Sequence, residues 1–277
     1  MSNLYYTTDT HRSVKVNINV MTFPGGEVGV NVNTGDCVNQ DVAFVNLYAH
    51  VTKSDDVMAL LLATEALRHY FPLAEVVLVL PYIPYARQDR RCNAGEALSI
   101  KVFANLINSQ NYKAVTVYDP HSQVSAGLID RCHVVDQYEL FSRTKLSWHG
   151  FTIVAPDLGA VKRCEEFAKK VGASGVLIAN KKRELSTGKI IGMDLIGSVD
   201  EGAKLVVLDD LCDGGRTFVE LAALLTPLKP ECLELYVTHG IFSKGVEVLD
   251  MYDKIVTTNS FHNGLESTDK LTVIEVV

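Results

Sequence analysis

The stretch Val207 to Thr217, VLDDLCDGGRT, holds residues whose types and spacing could do chemistry. Asp209 and Asp210 follow the apolar run 205–208, where a buried strand is expected to end. Asp213, Gly214, Gly215, Arg216 and Thr217 then lead into an amphipathic run. A glycine turn before a helix lets the backbone come close to a ligand, and the helix start points its unpaired N–H groups at it. Thr217 adds a hydroxyl donor. Together these residues form a cradle for a phosphate. Asp209 and Asp210 suit a different task, accepting hydrogen bonds from sugar hydroxyls. A phosphate at one end and vicinal hydroxyls at the other describe a pentose phosphate. The plainer reading is an ordinary strand-to-helix turn with solvated aspartates. Against it stands the cost of burying two acids that have no partner.

Such a turn needs a strand behind it and a helix ahead. Short β-branched runs supply strand candidates at 14–20, 42–46, 76–80, 114–117, 152–155, 175–179, 205–208, 233–237 and 254–257. Many are continuously apolar, as expected of strands covered on both faces. Between them lie helical patterns. Residues 54–70 open on a Ser-Asp-Asp cap and repeat Val57, Leu60, Leu61 and Leu67. Residues 160–171 set Cys164, Phe167 and Ala168 opposite Lys162, Arg163, Glu165 and Glu166, a face expected to meet solvent. Residues 218–225 repeat the pattern with Phe218, Leu221, Ala222 and Leu225. This alternation predicts an α/β fold with largely parallel sheets. The polar stretch YELFSRTKLSWHG marks a seam, giving expected domains 1–142 and 143–277. Each half has an apolar strand running into a charged loop, which hints at duplication.

The chain has 277 residues, 47% hydrophobic and 21% charged, with a net charge of -7. An acidic balance argues against a general nucleic-acid binder, which carries a basic face. It leaves room for a small anionic ligand at a local positive site. The six cysteines, Cys37, Cys92, Cys132, Cys164, Cys212 and Cys232, form no metal-binding spacing and read as free thiols of a reducing cytosol. The N-terminal residues lack an apolar signal core, and no apolar run reaches the roughly 20 residues that span a bilayer. A soluble cytoplasmic protein with no membrane partner is expected.

Further motifs give VLDDLCDGGRT a family context. It looks like the phosphoribosyl-binding signature of type I phosphoribosyltransferases and of ribose-phosphate diphosphokinases (PRPP synthetases). The second group matches better. TFPGGEVGV at 22–30 resembles its Phe-x-x-Gly-Glu segment, and PYIPYARQDRR at 81–91 its Arg-Gln-Asp-Arg block. DPHS at 119–122, APDLGAVKRCEEFAKK at 155–170, ANKKRE at 179–184 and YVTHGIFS at 236–243 follow in the family's order. The likeness runs from about residue 20 to 260. A type I transferase would be a single domain without the Arg-Gln-Asp-Arg block.

The resemblance implies two tandem phosphoribosyltransferase-like (type I) domains, each a mainly parallel sheet flanked by helices. It implies transfer of the diphosphoryl group of ATP to the 1-hydroxyl of ribose 5-phosphate, giving PRPP and AMP. Lys181 and Arg183 fall on the family's catalytic hairpin. His121 and Asp157 fall on its metal positions, for Mg2+. Arg87 and Gln88, supported by Asp89 and Arg90, match residues that hold ATP. Phe23, Gly25 and Glu27 match a segment that reaches the adenine from a neighbouring subunit, which implies a homo-oligomer, at least a dimer. Asp209, Asp210 and the turn 213–217 would hold ribose 5-phosphate.

Two departures matter. The family turn reads Asp-Thr/Ser-Ala/Gly-Gly-Thr, so Gly214 removes a hydroxyl and Arg216 replaces a glycine. The guanidinium is expected to replace the lost hydroxyl or shield the phosphate. After the Arg-Gln-Asp-Arg block, CNAGEALSIK is shorter than the family's basic segment. Val124-Ser125-Ala126 also replaces a Gln-x-Gln pattern. In the family these regions contribute to an allosteric phosphate/ADP site, so weak ADP regulation is expected. The alternatives are a non-catalytic regulatory homologue and a type I phosphoribosyltransferase that consumes PRPP.

Overall fold

The computed structural model describes residues 3–10, 14–33, 42–183, 190–261 and 264–276, with the backbone alone for 181–183 and 190–193. The chain forms two units, each with its own seven-stranded sheet. One takes in the residues up to Val135 together with Ser260 and Phe261. The other runs from Asp136 to Asn259 and takes in the stretch that ends at Val276.

The first sheet contains β1 (Leu4–Thr8), β2 (Val16–Thr22), β3 (Val28–Val32), β4 (Phe44–Ala49), β5 (Glu75–Leu80), β6 (Val115–Tyr118) and β7 (Cys132–Val135). Their order is β3-β2-β1-β4-β5-β6-β7. Strands β4 to β7 pair in parallel, and β1 to β3 extend them as an antiparallel edge. The helices of this unit are α1 (Ser54–Tyr70), α2 (Ser99–Ser109) and α3 (Gln123–Gly127). Small residues of α1, Ala59 and Ala63, are buried with Leu60 and Leu67. In α2 the buried set is Ile100, Phe103, Ala104 and Ile107. Ser54 does not cap α1. The cap position is Lys53, and Asp56 Oδ2 reaches back to accept from Thr52 N–H (2.9 Å), the Thr52 hydroxyl (3.0 Å) and Lys53 N–H (3.1 Å). A carboxylate one turn in thus meets the donors at the helix start. Ser54 Oγ instead shares a 3.1 Å hydrogen bond with Tyr85 OH.

The second unit begins with α4 (Gln137–Phe141) and continues through β8 (Thr152–Ala155), α5 (Val161–Val171), β9 (Gly175–Arg183), β10 (Ile190–Ile196), β11 (Lys204–Cys212), α6 (Arg216–Leu225), β12 (Cys232–Gly240), β13 (Lys254–Thr258) and β14 (Leu271–Ile274). The sheet order is β10-β9-β8-β11-β12-β13-β14. Every pairing is parallel except β9 with β10. The stretch read as a polar seam carries an aromatic core. Phe141 stacks on Trp148 at 4.2 Å between centroids and also packs near Phe167 and Tyr236. Trp148 Nε1 donates to Glu234 Oε2 at 2.7 Å. No helix among the described residues is long and apolar enough to cross a membrane. Cys92, Cys132, Cys164, Cys212 and Cys232 are free thiols, and Cys37 lies outside the described residues.

Candidate active site

The aspartates lie within β11. The strand was expected to end at Leu208, but it runs on through Asp209, Asp210 and Leu211 to Cys212, where pairing with Gly240 of β12 ends it. Backbone pairing decides this, because β12 is equally long and holds the carboxylates in its register. Arg163 of α5 opposes their charge. Its Nη1 lies 3.9 Å from Asp210 Oδ1, and both side chains are largely buried, 22% and 9% exposed. Arg163 therefore does not belong to the solvated face expected of it. Asp210 N–H donates to Asp209 Oδ1 at 2.9 Å. Burial pushes the Asp209 carboxyl well above the ordinary carboxylate range. The Asp210 charge pushes the same way and Arg163 opposes it.

The turn after β11 depends on one glycine. Gly215, in the left-handed region with φ 75°, precedes α6. A Cβ there would approach Val248 Cγ2 to 2.9 Å and Leu249 Cδ2 to 3.3 Å. Its carbonyl accepts from the Phe218 and Val219 N–H groups, each at 3.0 Å. The first N–H groups of α6 have no intrahelical acceptor and carry the positive end of the helix dipole. Arg216 is 90% exposed and is held along α6, its Nε donating to Glu220 Oε1 at 2.7 Å. Cys212 stays a neutral thiol. Burial pushes its pKa up to about 12, with Asp209 and Asp213 adding to the rise and the Gly215 backbone opposing it.

Strands β8, β11 and β12 are neighbours, so their following loops stand together at the carboxyl edge of the sheet, where ligands of parallel α/β sheets bind. Asp157 follows β8. Its Oδ1 accepts from Gly159 N–H (2.9 Å) and Ala160 N–H (3.2 Å). The loop after β12 is bonded to the β11 turn. The Cys212 carbonyl accepts from the Ile241 and Phe242 N–H groups (2.8 and 3.1 Å), and the Asp213 carbonyl accepts from Ser243 N–H (3.2 Å). Lys181 and Arg183 lie on β9, paired with Met193 and Ile190 of β10. Their side chains lie outside the described residues, as does Glu184.

In the first unit, the loops after adjacent strands β5 and β6 and the β2–β3 hairpin carry the other expected residues. Ile83 and Ala86 anchor the first loop in the core, and Tyr85 turns it with φ 64°. Arg87, Gln88 and Arg90 are then exposed, and Asp89 is half-buried. The Ser99 hydroxyl donates to Gln88 Oε1. Phe261 packs edge-on against Tyr82 at 5.3 Å between centroids. His121 is exposed in the loop after β6. On the β2–β3 hairpin, Phe23 N–H donates to the Glu27 carbonyl and Gly26 N–H to the Phe23 carbonyl, both at 2.8 Å. Phe23 is 50% exposed, and Gly25 and Glu27 are exposed beside it. Among the described residues, no three His, Cys, Asp or Glu side chains group as a metal site. His121 belongs to the first unit and Asp157 to the second.

Residues 8–110 match the family described as the N-terminal domain of ribose phosphate pyrophosphokinase, and residues 136–270 match the phosphoribosyl transferase domain. A ribose-phosphate pyrophosphokinase of Hyphomonas neptunium is 31% identical over 253 residues, which is 87% of this chain and 78% of that protein. The chain belongs to the ribose-phosphate pyrophosphokinase family. The pyrophosphokinase of Aquifex aeolicus is 29% identical over 93% of this chain and 83% of its own. Phosphoribosylpyrophosphate synthetase from Mycobacterium smegmatis shares the pyrophosphokinase fold. Its TM-score is 0.78 at 22% identity, over 95% of this chain and 87% of that one.

Two residues to which the sequence reading assigned no part in the site stand against its aspartates. Arg163 holds Asp210, as described. Gln137 of α4 is buried beneath β11, where its Nε2 donates to the Asp209 carbonyl at 2.6 Å. Tyr236 OH donates to the Gln137 carbonyl at 3.2 Å. The sequence signal for Arg163 was weak, since an arginine among helical charges reads as solvated. Gln137 had no signal at all, because its role depends on contacts far along the chain.

Proposed function

We propose that this chain transfers the diphosphoryl group of ATP to the 1-hydroxyl of ribose 5-phosphate, giving PRPP and AMP. The observation that carries the reading is the desolvated Asp209–Asp210 pair in β11, followed directly by the Gly215 turn and the start of α6. The carboxylates accept from the vicinal sugar hydroxyls, and the turn receives the 5-phosphate. The sugar is thereby held with its 1-hydroxyl oxygen free to attack the β-phosphorus. As the new P–O bond forms, the bond to the α-phosphate oxygen breaks. AMP departs with that electron pair, and the hydroxyl proton passes to solvent.

Phosphoryl-type transfer depends on positioning and on neutralising charge. Lys181 and Arg183 stabilise the transferred group and the departing oxygen, each contributing about 3–4 kcal/mol to lowering the barrier. Arg87 and Gln88 hold the nucleotide, with Asp89 and Arg90 supporting their loop. Phe23 stacks on the adenine of a second copy's site and Glu27 accepts from its exocyclic amine, so the working form is at least a dimer. Asp157 of the second unit and His121 of the first are each of a type that can ligate magnesium. A half-buried carboxylate and one imidazole leave most ligand positions to phosphate oxygens and water, as that ion prefers. Magnesium when bound neutralises the triphosphate. The free thiols suit a reducing cytoplasm.

The test is formation of AMP and PRPP from ATP, magnesium and ribose 5-phosphate, with Lys181→Ala alongside. Turnover by the parent and a loss of about 100-fold or more in the variant is the expected result. A parent that binds ribose 5-phosphate without turnover would instead be the regulatory homologue.

A further inference from the structure

The phosphate turn has lost a hydroxyl at Gly214, and Arg216 is not in place to replace it. The guanidinium is 90% exposed and bonded to Glu220 one turn along α6. The space beside Gly214 is filled from another loop. A Cβ at Gly214 would lie 3.7 Å from both Cδ and Cε of Lys244, and 3.9 Å from Ser243 Oγ. The stem of Lys244 therefore lies along the face of the turn that a threonine or serine would occupy, with the ammonium one bond beyond Cε. The placement is backed by backbone bonding, because Ser243 N–H donates to the Asp213 carbonyl at 3.2 Å and the residues before it bond to the Cys212 carbonyl. Lys244 is exposed, and its ammonium forms no ion pair among the described residues. A glycine at 214 and a lysine at 244 are thus complementary. The stem of the second passes the first at van der Waals distance from where a Cβ would stand.

We propose that Lys244, rather than Arg216, supplies the charged donor that replaces the missing hydroxyl and binds the phosphate monoester dianion of the sugar substrate. The inference rests on the pentose-phosphate reading of this site and names a residue that determines its specificity. An ammonium is a compact point charge with rotatable donors, suited to a phosphate already oriented by backbone N–H groups.

The test uses the full-length protein with ribose 5-phosphate as the probe, followed by calorimetric titration and by steady-state kinetics. Lys244→Met keeps the stem against Gly214 and removes only the charge. It is expected to weaken ribose 5-phosphate binding by about 10- to 100-fold, the range for a charge-assisted hydrogen bond. The KM for ATP should stay within twofold. Lys244→Arg should restore most of the affinity, and Lys244→Ala combined with Gly214→Ser, which clears the stem, should recover part of it through the regained hydroxyl. Arg216→Ala should weaken sugar-phosphate binding less than Lys244→Met does. Equal affinity in the parent and Lys244→Met would overturn the proposal while leaving the pentose-phosphate reading intact. So would a loss confined to Arg216→Ala. A parent that does not bind ribose 5-phosphate would overturn both.

Discussion

Asp209 sets stability against function. Its carboxyl holds its proton to higher pH than in the unfolded chain, because burial and Asp210 disfavour the charge. Between the ordinary aspartate pKa of about 3.9 and the raised native value, the folded state binds more protons than the unfolded one. Stability therefore falls as pH rises through that window. Asp209→Asn is expected to raise the Tm at neutral pH and to leave it unchanged at about pH 3, where both states are protonated. The same variant should lose ribose 5-phosphate binding, which titration would read. Arg163 acts in the opposite sense, favouring the ionised carboxylates. Arg163→Met should move the acid limb of kcat/KM for ribose 5-phosphate to higher pH. A limb that stays in place would remove Arg163 from the site. The charge problem was legible in the sequence, since two acids after an apolar run call for a partner. Which partner answered it was not, because Arg163 and Asp210 meet only when α5 packs beside β11.

At the scale of elements, the turn after β11 separates two glycines that look alike in sequence. Gly215 combines φ 75° with Val248 only 2.9 Å from a would-be Cβ, whereas a Cβ at Gly214 finds ordinary contacts at 3.7 Å. Gly215→Ala is expected to cost about 1–2 kcal/mol from the left-handed backbone alone, with more from the contact. Gly214→Ala should stay near zero in the same urea unfolding comparison. All nine strand patterns read from the sequence correspond to strands; eight are central or near-central strands of the parallel parts, marked by apolar runs, and the alternating 14–20 run became β2 of the antiparallel edge. The strands that escaped notice, β1, β3, β7, β10 and β14, include both edges of each sheet, where one side is open and apolar patterning is weak. Helix α2 did carry a signal, with Ile100, Phe103, Ala104 and Ile107 at helical spacing.

For the molecule as a whole, regulation and assembly are open to direct test. Glu96 closes the shortened segment on itself, accepting from the Cys92 and Asn93 N–H groups at 2.7 and 3.0 Å. On the family resemblance, an acid takes the place of an expected basic segment. ADP is expected to inhibit only by competing with ATP, and a non-competitive pattern in initial rates would contradict this. Phe23→Ala should raise the KM for ATP by about tenfold, the order expected for an aromatic pair plus lost apolar area, and leave that for ribose 5-phosphate alone. If a second copy completes the nucleotide site, specific activity should fall on dilution below the dissociation constant of the dimer. The chain path adds a constraint of its own. Ser260 and Phe261 return to the first unit, where the Ser260 carbonyl meets His50 Nδ1 at 3.2 Å and Phe261 braces Tyr82 at the root of the Arg87–Arg90 loop. During synthesis, the Arg87–Arg90 loop therefore waits until residue 261 has been made before its support is complete. A nascent chain stalled before Phe261 would hold every expected ATP-binding residue and still lack the brace beneath them.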